Sequence, residues 1–404
     1  MKHIIILGDG MADEPVDSLG GLTPLEAADT PAMDRLAKEG RSGMLATVPA
    51  GFHPGSEIAN MGVLGYDVRS SFEGRGVLEA ASMGVDVPPG WMAMRCNLIN
   101  ITDGKIKNHS AGHISTEEAT ALIEALDREL GNDNIRFFPG VSYRHLLLLR
   151  DGDKRIECTP PHDVPGTPWR SVTVKATHPE AESTAALIND LIVRSQEVLS
   201  RHDINRRRIA SGKDGANSIW PWSPGYRPSM EPMSTRFGIS SGAVISAVDL
   251  IFGIGVYAGL RPIHVEGATG LADTNYEGKA RAAIDALRSG ADFVFLHVEA
   301  SDEAGHEGDA DLKKSTIEYL DRRIVAPIME AAVSLSEPLA IAVLPDHPTP
   351  CRLRTHTSEP VPFVIYHPGA QPDEVTRYSE RAAAEGSYGL MESTDFIKEF
   401  LKDY

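Results

Sequence analysis

The feature that most constrains this chain is a series of short, unbroken apolar runs separated by stretches with a helical repeat. The runs fall at residues 3–7, 263–265, 293–298, 339–344 and 362–366, and helical patterns occupy 279–287 and 312–333 between them. Strands of a parallel sheet are buried on both faces and so read as continuous apolar segments, whereas one-sided strands alternate. The pattern predicts an α/β sheet sandwiched by helices. Thr30-Pro31, a cap residue followed by proline in the first turn, opens a further helix through residue 36.

A chain of 404 residues, 42% of them hydrophobic, exceeds what one core usually fills, so two lobes are expected. The texture changes between residues 76 and 235. Strand-like residues 144–150, a helix at 116–130 and a Pro/Trp/Gly-rich stretch at 219–232 indicate an inserted α+β cap domain, flanked by a core formed from 1–75 and 236–404. The aromatic stretch is expected as an ordered loop lining the cleft.

The net charge of −18 is spread along the chain, and no long basic run offers a footprint for nucleic acid or an anionic membrane. Cys96, Cys158 and Cys351 stand far apart, which suggests neither a disulfide framework nor a thiolate metal site. The opening apolar run meets Asp9 before a signal-peptide core develops, and no apolar stretch is long enough for a membrane helix. These features point to a cytoplasmic protein.

Acidic and histidine residues recur where the predicted strands end, which is where open α/β sheets place their ligands. The first run is followed by Asp9, the third by Asp302 and His306, the fourth by Asp346 and His347, and His356 precedes the last. An aspartate after a strand often only caps a helix, and a buried histidine is often only hydrogen-bonded. The ordered recurrence is what favours a site. Carboxylates with imidazoles suit manganese or zinc, whereas magnesium prefers more oxygen. Six such ligands are too many for one ion with an open position and fit two divalent ions about 4 Å apart. Ser56, before a short helix, supplies a nucleophile at the cap position, where a helix N-terminus favours a phosphoryl group.

With these residues in view, the chain resembles a known family. Asp9, GSEIANMGVLGYD, SAGHISTEEA, GVSYRH, ATGLADTNYEGKA, HVEASDEAGHEGD, DHPTPC and THTSEPVPF match, in order and spacing, the archaeal-type cofactor-independent phosphoglycerate mutases of the alkaline phosphatase superfamily. The resemblance implies an alkaline-phosphatase-like core and an isomerase that interconverts 3- and 2-phosphoglycerate, in glycolysis, through a phosphoserine. It implies one metal on Asp302, His306 and His356, another on Asp9, Ser56, Asp346 and His347, and Lys279 against the phosphoryl group. For the small phosphorylated substrate it points to His113, Arg144, His145, His162 and Asp163. Read structurally instead, Arg144 or His145 is a surface cation and His162-Asp163 shapes a proline-rich turn.

Two segments depart from the pattern. Proline follows the Asp346-His347 pair and Arg354 precedes His356, a variant similar to a subgroup proposed to act as homoserine kinase; IWPWSPG also differs from the usual IWLWGxG. The alternatives are therefore a homoserine kinase-like phosphotransferase, a metal-dependent phosphatase, or a binding protein with structural ions. No GxxxxGK[ST] loop is present, and the glycines from 253 to 259 lie in an apolar helical stretch that suits packing better than nucleotide binding.

Overall fold

Every residue of the first strand, Lys2–Gly8, is buried, which requires a sheet covered on both faces. The structure, a computed structural model, describes residues 1–402. Lys2–Gly8 lies fourth in an eight-stranded sheet ordered Arg261–Ile263, Gly242–Ile245, Phe293–Val298, Lys2–Gly8, Leu339–Leu344, Val361–Tyr366, Arg41–Ala46, Leu390–Glu392. All pairings are parallel except the two made by Val361–Tyr366.

On one face, Ile4, Ile6, Val294, Leu296, Ile341 and Val343 pack with helices Pro31–Glu39, Tyr276–Arg288, Ala310–Leu320 and Ala326–Ala332. On the other, Asp249–Tyr257 lies against Gly242–Ile245, so closely that a Cβ on Gly255 would come within 2.5 Å of Val244. Gly255 there serves close helix–strand packing. The run at 263–265 is displaced: the strand is Arg261–Ile263.

The start of Pro31–Glu39 differs from the sequence reading. Thr30 makes no capping bond; Asp321 instead accepts the N–H groups of Ala32 (3.2 Å) and Met33 (2.7 Å). Asp321 opens a π-helical turn, Asp321–Val325, that interrupts the long helix expected at 312–333. Such wide turns redirect side chains, and here one delivers a carboxylate to the free N–H groups of another helix.

Two compact units emerge: Met1–Phe72 with the chain from Ser229 onward, and Glu73–Pro228, against the 76–235 insertion expected from texture. The second unit contains an antiparallel sheet ordered Lys105–Asn108, Trp91–Thr102, Arg144–Arg150, Ile135–Phe138, with Ser218–Gly225 also paired to Trp91–Thr102. Helices Thr116–Leu130 and Glu182–Ser200 join its core. The expected loop at 219–232 is thus corrected: its first half is strand. Pro221 and Pro224 are tolerated because that strand lies at an edge, where a missing N–H costs no ladder bond. Among the described residues no helix is long and apolar enough to cross a membrane.

Candidate active site

Register brings the ligand-bearing strand ends level. Gly8 pairs with Val298, and Leu7 pairs with Leu344, so Asp9, the helix carrying Asp302, and Asp346-His347 all begin at one sheet edge. Val361–Tyr366 runs the opposite way, so the loop entering it, which carries His356, returns to the same edge.

Asp302 and His306 share one face of helix Ala300–Glu307, with His306 Nε2 3.2 Å from Asp302 Oδ2. His356 Nε2 lies 3.3 Å from Asp302 Oδ1 and 2.9 Å from His306 Nε2. His347 stacks on His356 with centroids 4.0 Å apart. Thr349 donates its hydroxyl to Asp302 and lies 3.3 Å from His347 Nδ1.

Asp9, Asp346 and His347 form the adjoining cluster. Asp346 Oδ1 accepts the N–H groups of Gly10 and His347, and Asn60 donates to its Oδ2 at 2.9 Å. A Cβ on Gly10, whose φ is +60°, would fall 2.5 Å from Asp302 Oδ1, so only glycine permits the two clusters to meet. Ser56 differs from the expected cap: Gly55 holds the cap position and Ser56 is the first helical residue. Its hydroxyl is thereby released from capping and donates to Asp9 Oδ2 (3.3 Å), with His347 Nε2 at 3.2 Å.

The electrostatics show a site short of positive charge. Burial, then Asp346 and Asp302, push the Asp9 carboxyl well above its ordinary range. Burial opposes ionisation of Asp302 as well, but hydrogen bonds from His306 and His356 outweigh it and hold its pKa down. The bond to Asp302 raises His306 to about 9. Asp9 Oδ1 is buried with no hydrogen-bond partner among the described residues, and the His306 and His356 nitrogens face each other. A donor set of carboxylates and imidazoles converging in this way fits divalent metal binding. Ligand atoms group most tightly as Asp302, His347, His356 and as Asp9, His297, Asp346.

His297 was not singled out from sequence. It is fully buried, and its Nε2 lies 2.9 Å from Asp9 Oδ2; burial lowers it to about 4. The available signal was a lone ionisable residue inside the otherwise apolar run FVFLHV, since a two-face-buried strand does not carry a polar group without a partner. Lys279, buried on helix Tyr276–Arg288, donates to the His297 carbonyl at 3.2 Å; burial lowers it to about 8, against the pull of Glu299.

The five other expected residues lie in the second unit. Asn97 pairs with Arg144 and Cys96 with His145, so Arg144 and His145 project to opposite faces. Arg144 shares its face with Arg95, whose guanidinium sits 4.3 Å from the Trp222 ring, and with Asn97, which accepts from Trp222 Nε1 at 3.0 Å. His162 packs edge-on against Trp222 and His109, with Asp163 3.5 Å from its Nε2. His113 occupies a left-handed turn, φ 53°. Arg95 and Arg144 thus put two guanidinium groups on this face, with Glu79 3.1 Å from that of Arg95. His145 is a correction: it is 1% exposed, lies among core residues, and accepts the Gly140 N–H at Nδ1. Burial lowers it to about 3. The alternation in RHLLLLR puts it in phase with buried Leu147 and Leu149.

A family model described as 2,3-bisphosphoglycerate-independent phosphoglycerate mutase matches residues 37–205. A protein of that name from Methanosarcina barkeri is 50% identical over 98% of both chains. Among solved structures, a protein from Pyrococcus horikoshii superposes with a TM-score of 0.83 at 28% identity, covering 100% of this chain and 98% of that one. A cofactor-independent phosphoglycerate mutase from Thermoplasma acidophilum gives 0.72 at 27% identity over 99% of both. Full-length identity of this order, together with the shared fold, shows that the chain belongs to the 2,3-bisphosphoglycerate-independent phosphoglycerate mutase family of isomerases.

Proposed function

We propose that this chain interconverts 3-phosphoglycerate and 2-phosphoglycerate through a phosphoserine at Ser56. The observation that carries the reading is the Ser56 hydroxyl, freed from capping and aimed at Asp9 and His347. Asp302, His306 and His356 would hold one divalent ion, and Asp9, Ser56, Asp346 and His347 the other. Bound there, such ions, of the manganese or zinc kind, acidify the serine hydroxyl and offset charge on the transferring phosphoryl group.

The chain's own groups do the rest. Ser56 Oγ bonds to phosphorus as the bond from phosphorus to O3 breaks, and the glycerate oxygen takes up the proton the serine releases. Return transfer to the 2-hydroxyl reverses each step at the neighbouring carbon and restores the serine. The buried Lys279 ammonium supplies positive charge toward the phosphoryl oxygens. In the second unit, Arg144, His113 and His162 are the groups proposed to recognise the phosphoglycerate through charge-assisted hydrogen bonds to its carboxylate, with Asp163 accepting from a substrate hydroxyl or orienting His162.

Ser56→Ala is expected to lower mutase activity in an enolase-coupled assay by roughly 10⁴-fold or more, and to abolish the phosphorylated species that intact-mass spectrometry detects in acid-quenched wild type. Retained activity in that variant overturns the phosphoserine route. Phosphate release from 3-phosphoglycerate, or transfer from ATP to homoserine in place of isomerisation, overturns the assignment as a mutase.

A further inference from the structure

Asp9 is fixed twice through its backbone, and its carboxylate is met by His297, Ser56 and His347. Its N–H donates to the Val298 carbonyl at 2.9 Å, and its carbonyl accepts the Ser301 hydroxyl at 2.6 Å. The last torsion of an aspartate is broad, so the angle its carboxylate takes is set by the side chains around it. Of its two oxygens, Oδ1 has no hydrogen-bond partner among the described residues and lies 3.5 Å from His347 Nε2, while Oδ2 lies 2.9 Å from His297 Nε2 and 3.3 Å from Ser56 Oγ. The His297 contact is the shortest of the three, which makes this imidazole the partner best placed to set which oxygen turns outward.

The imidazole is itself oriented. His297 Nδ1 lies 3.1 Å from Ser246 Oγ, and that same oxygen accepts the Val248 N–H at 3.0 Å. An ionised Asp9 carboxylate can only accept, which puts the ring proton on Nε2, and the Ser246 hydroxyl, oriented by the Val248 N–H, then gives its proton to Nδ1. Ser246 and His297 are 1% and 0% exposed, so water does not compete for these bonds. Ser246 follows strand Gly242–Ile245, which pairs beside Phe293–Val298. The chain from Val248 N–H through Ser246 and His297 to Asp9 thus crosses three adjacent strand ends.

We propose that His297 is a positioning residue: relayed from Ser246, its Nε2–H holds Asp9 Oδ2 so that Oδ1 is presented to the divalent ion on the Ser56 side of the site. The proposal rests on the two-ion reading above. Partners that orient a metal-binding carboxylate without touching the ion typically change affinity about 10- to 100-fold when lost.

The test is titration of the metal-free full chain with Mn²⁺, following free Mn²⁺ by paramagnetic resonance, for wild type, His297→Leu, His297→Gln and Ser246→Ala. Wild type is expected to bind two ions. His297→Leu is expected to retain one at unchanged affinity and to bind the second about 10- to 100-fold more weakly. His297→Gln, whose amide N–H can still reach Asp9, recovers part of that loss, and Ser246→Ala shows a smaller one. Nitrogen NMR of the imidazole is expected to show Nε2 protonated in wild type and mixed tautomers in Ser246→Ala.

Unchanged affinity for both ions in His297→Leu overturns the positioning role while leaving the two-ion reading intact. Equal losses in the Leu and Gln variants overturn it too, because a direct ligand or a packing residue, and not a donor, would behave that way. Fewer than two ions in wild type overturns both readings together. Thermal unfolding of each metal-free variant separates these outcomes from misfolding, and Ser246→Ala, which removes only a hydroxyl, keeps the test open if the Leu variant does not fold.

Discussion

Lys313 in the first unit and Arg208 in the second hold loops by the same device, with different margins. Lys313 is 0% exposed and spends all three ammonium protons: on the Ala12 carbonyl (3.0 Å), the Thr349 carbonyl (2.9 Å) and Asp13 Oδ2 (2.7 Å). It ties the segment after Asp9 to the segment after His347. Arg208 donates to the carbonyls of Asp214 (2.9 Å) and Ala111 (2.7 Å) and pairs with Glu118, tying down the turn in which Ala111 and His113 adopt positive φ. The counter-ions differ. The Asp13 side chain is 1% exposed and that of Glu118 33%. A buried cation that fixes carbonyls resists loss in proportion to how dry its partner is, because the stranded charge has no water to turn to. The edge that carries the candidate ligands is thus over-determined, and the turn carrying His113 is held more loosely.

That contrast can be broken by measurement. Lys313→Met is expected to destabilise the fold by about 3–5 kcal/mol in urea unfolding and to weaken Mn²⁺ binding, since Thr349 then drifts from Asp302. A cost under about 1 kcal/mol would place this pair among ordinary surface bridges and remove the contrast. Arg208→Met is expected to cost less, about 1.5–3 kcal/mol, and to open the 109–114 turn to proteolysis without changing metal content; equal costs in the two variants would show that partner exposure is not the governing variable. The smallest effect belongs to Arg144→Ala: stability within about 0.5 kcal/mol of wild type and a KM for phosphoglycerate raised about tenfold, equivalent to ~1.4 kcal/mol, with kcat little changed. An unchanged KM would remove Arg144 from the recognition face.

The candidate ligand residues were legible because their local patterns are strong. Asp302 and His306 four apart lie on one helical face by geometry alone, and the apolar runs before Asp9, Asp302 and Asp346 place all three at strand ends. His297 was not legible in the same way. It is a single polar letter in an apolar strand, and its meaning depends on a neighbour, Asp9, that is 288 positions away. The capping of Pro31–Glu39 by Asp321 escaped for the same reason, and the strand at Ser218–Gly225 was hidden by prolines that only an edge position tolerates.

By itself, then, the sequence determined the α/β class and the placement of the acidic and histidine candidates at the ends of strands, which follows from short-range periodicity. The tertiary structure decided which atoms meet. Pairing Phe293–Val298 beside Lys2–Gly8 sets His297 against Asp9, and reversing Val361–Tyr366 returns His356 to the edge that holds Asp302. Strand order and direction are properties of the whole sheet, selected by burial of every strand at once, and no local stretch of chain carries them.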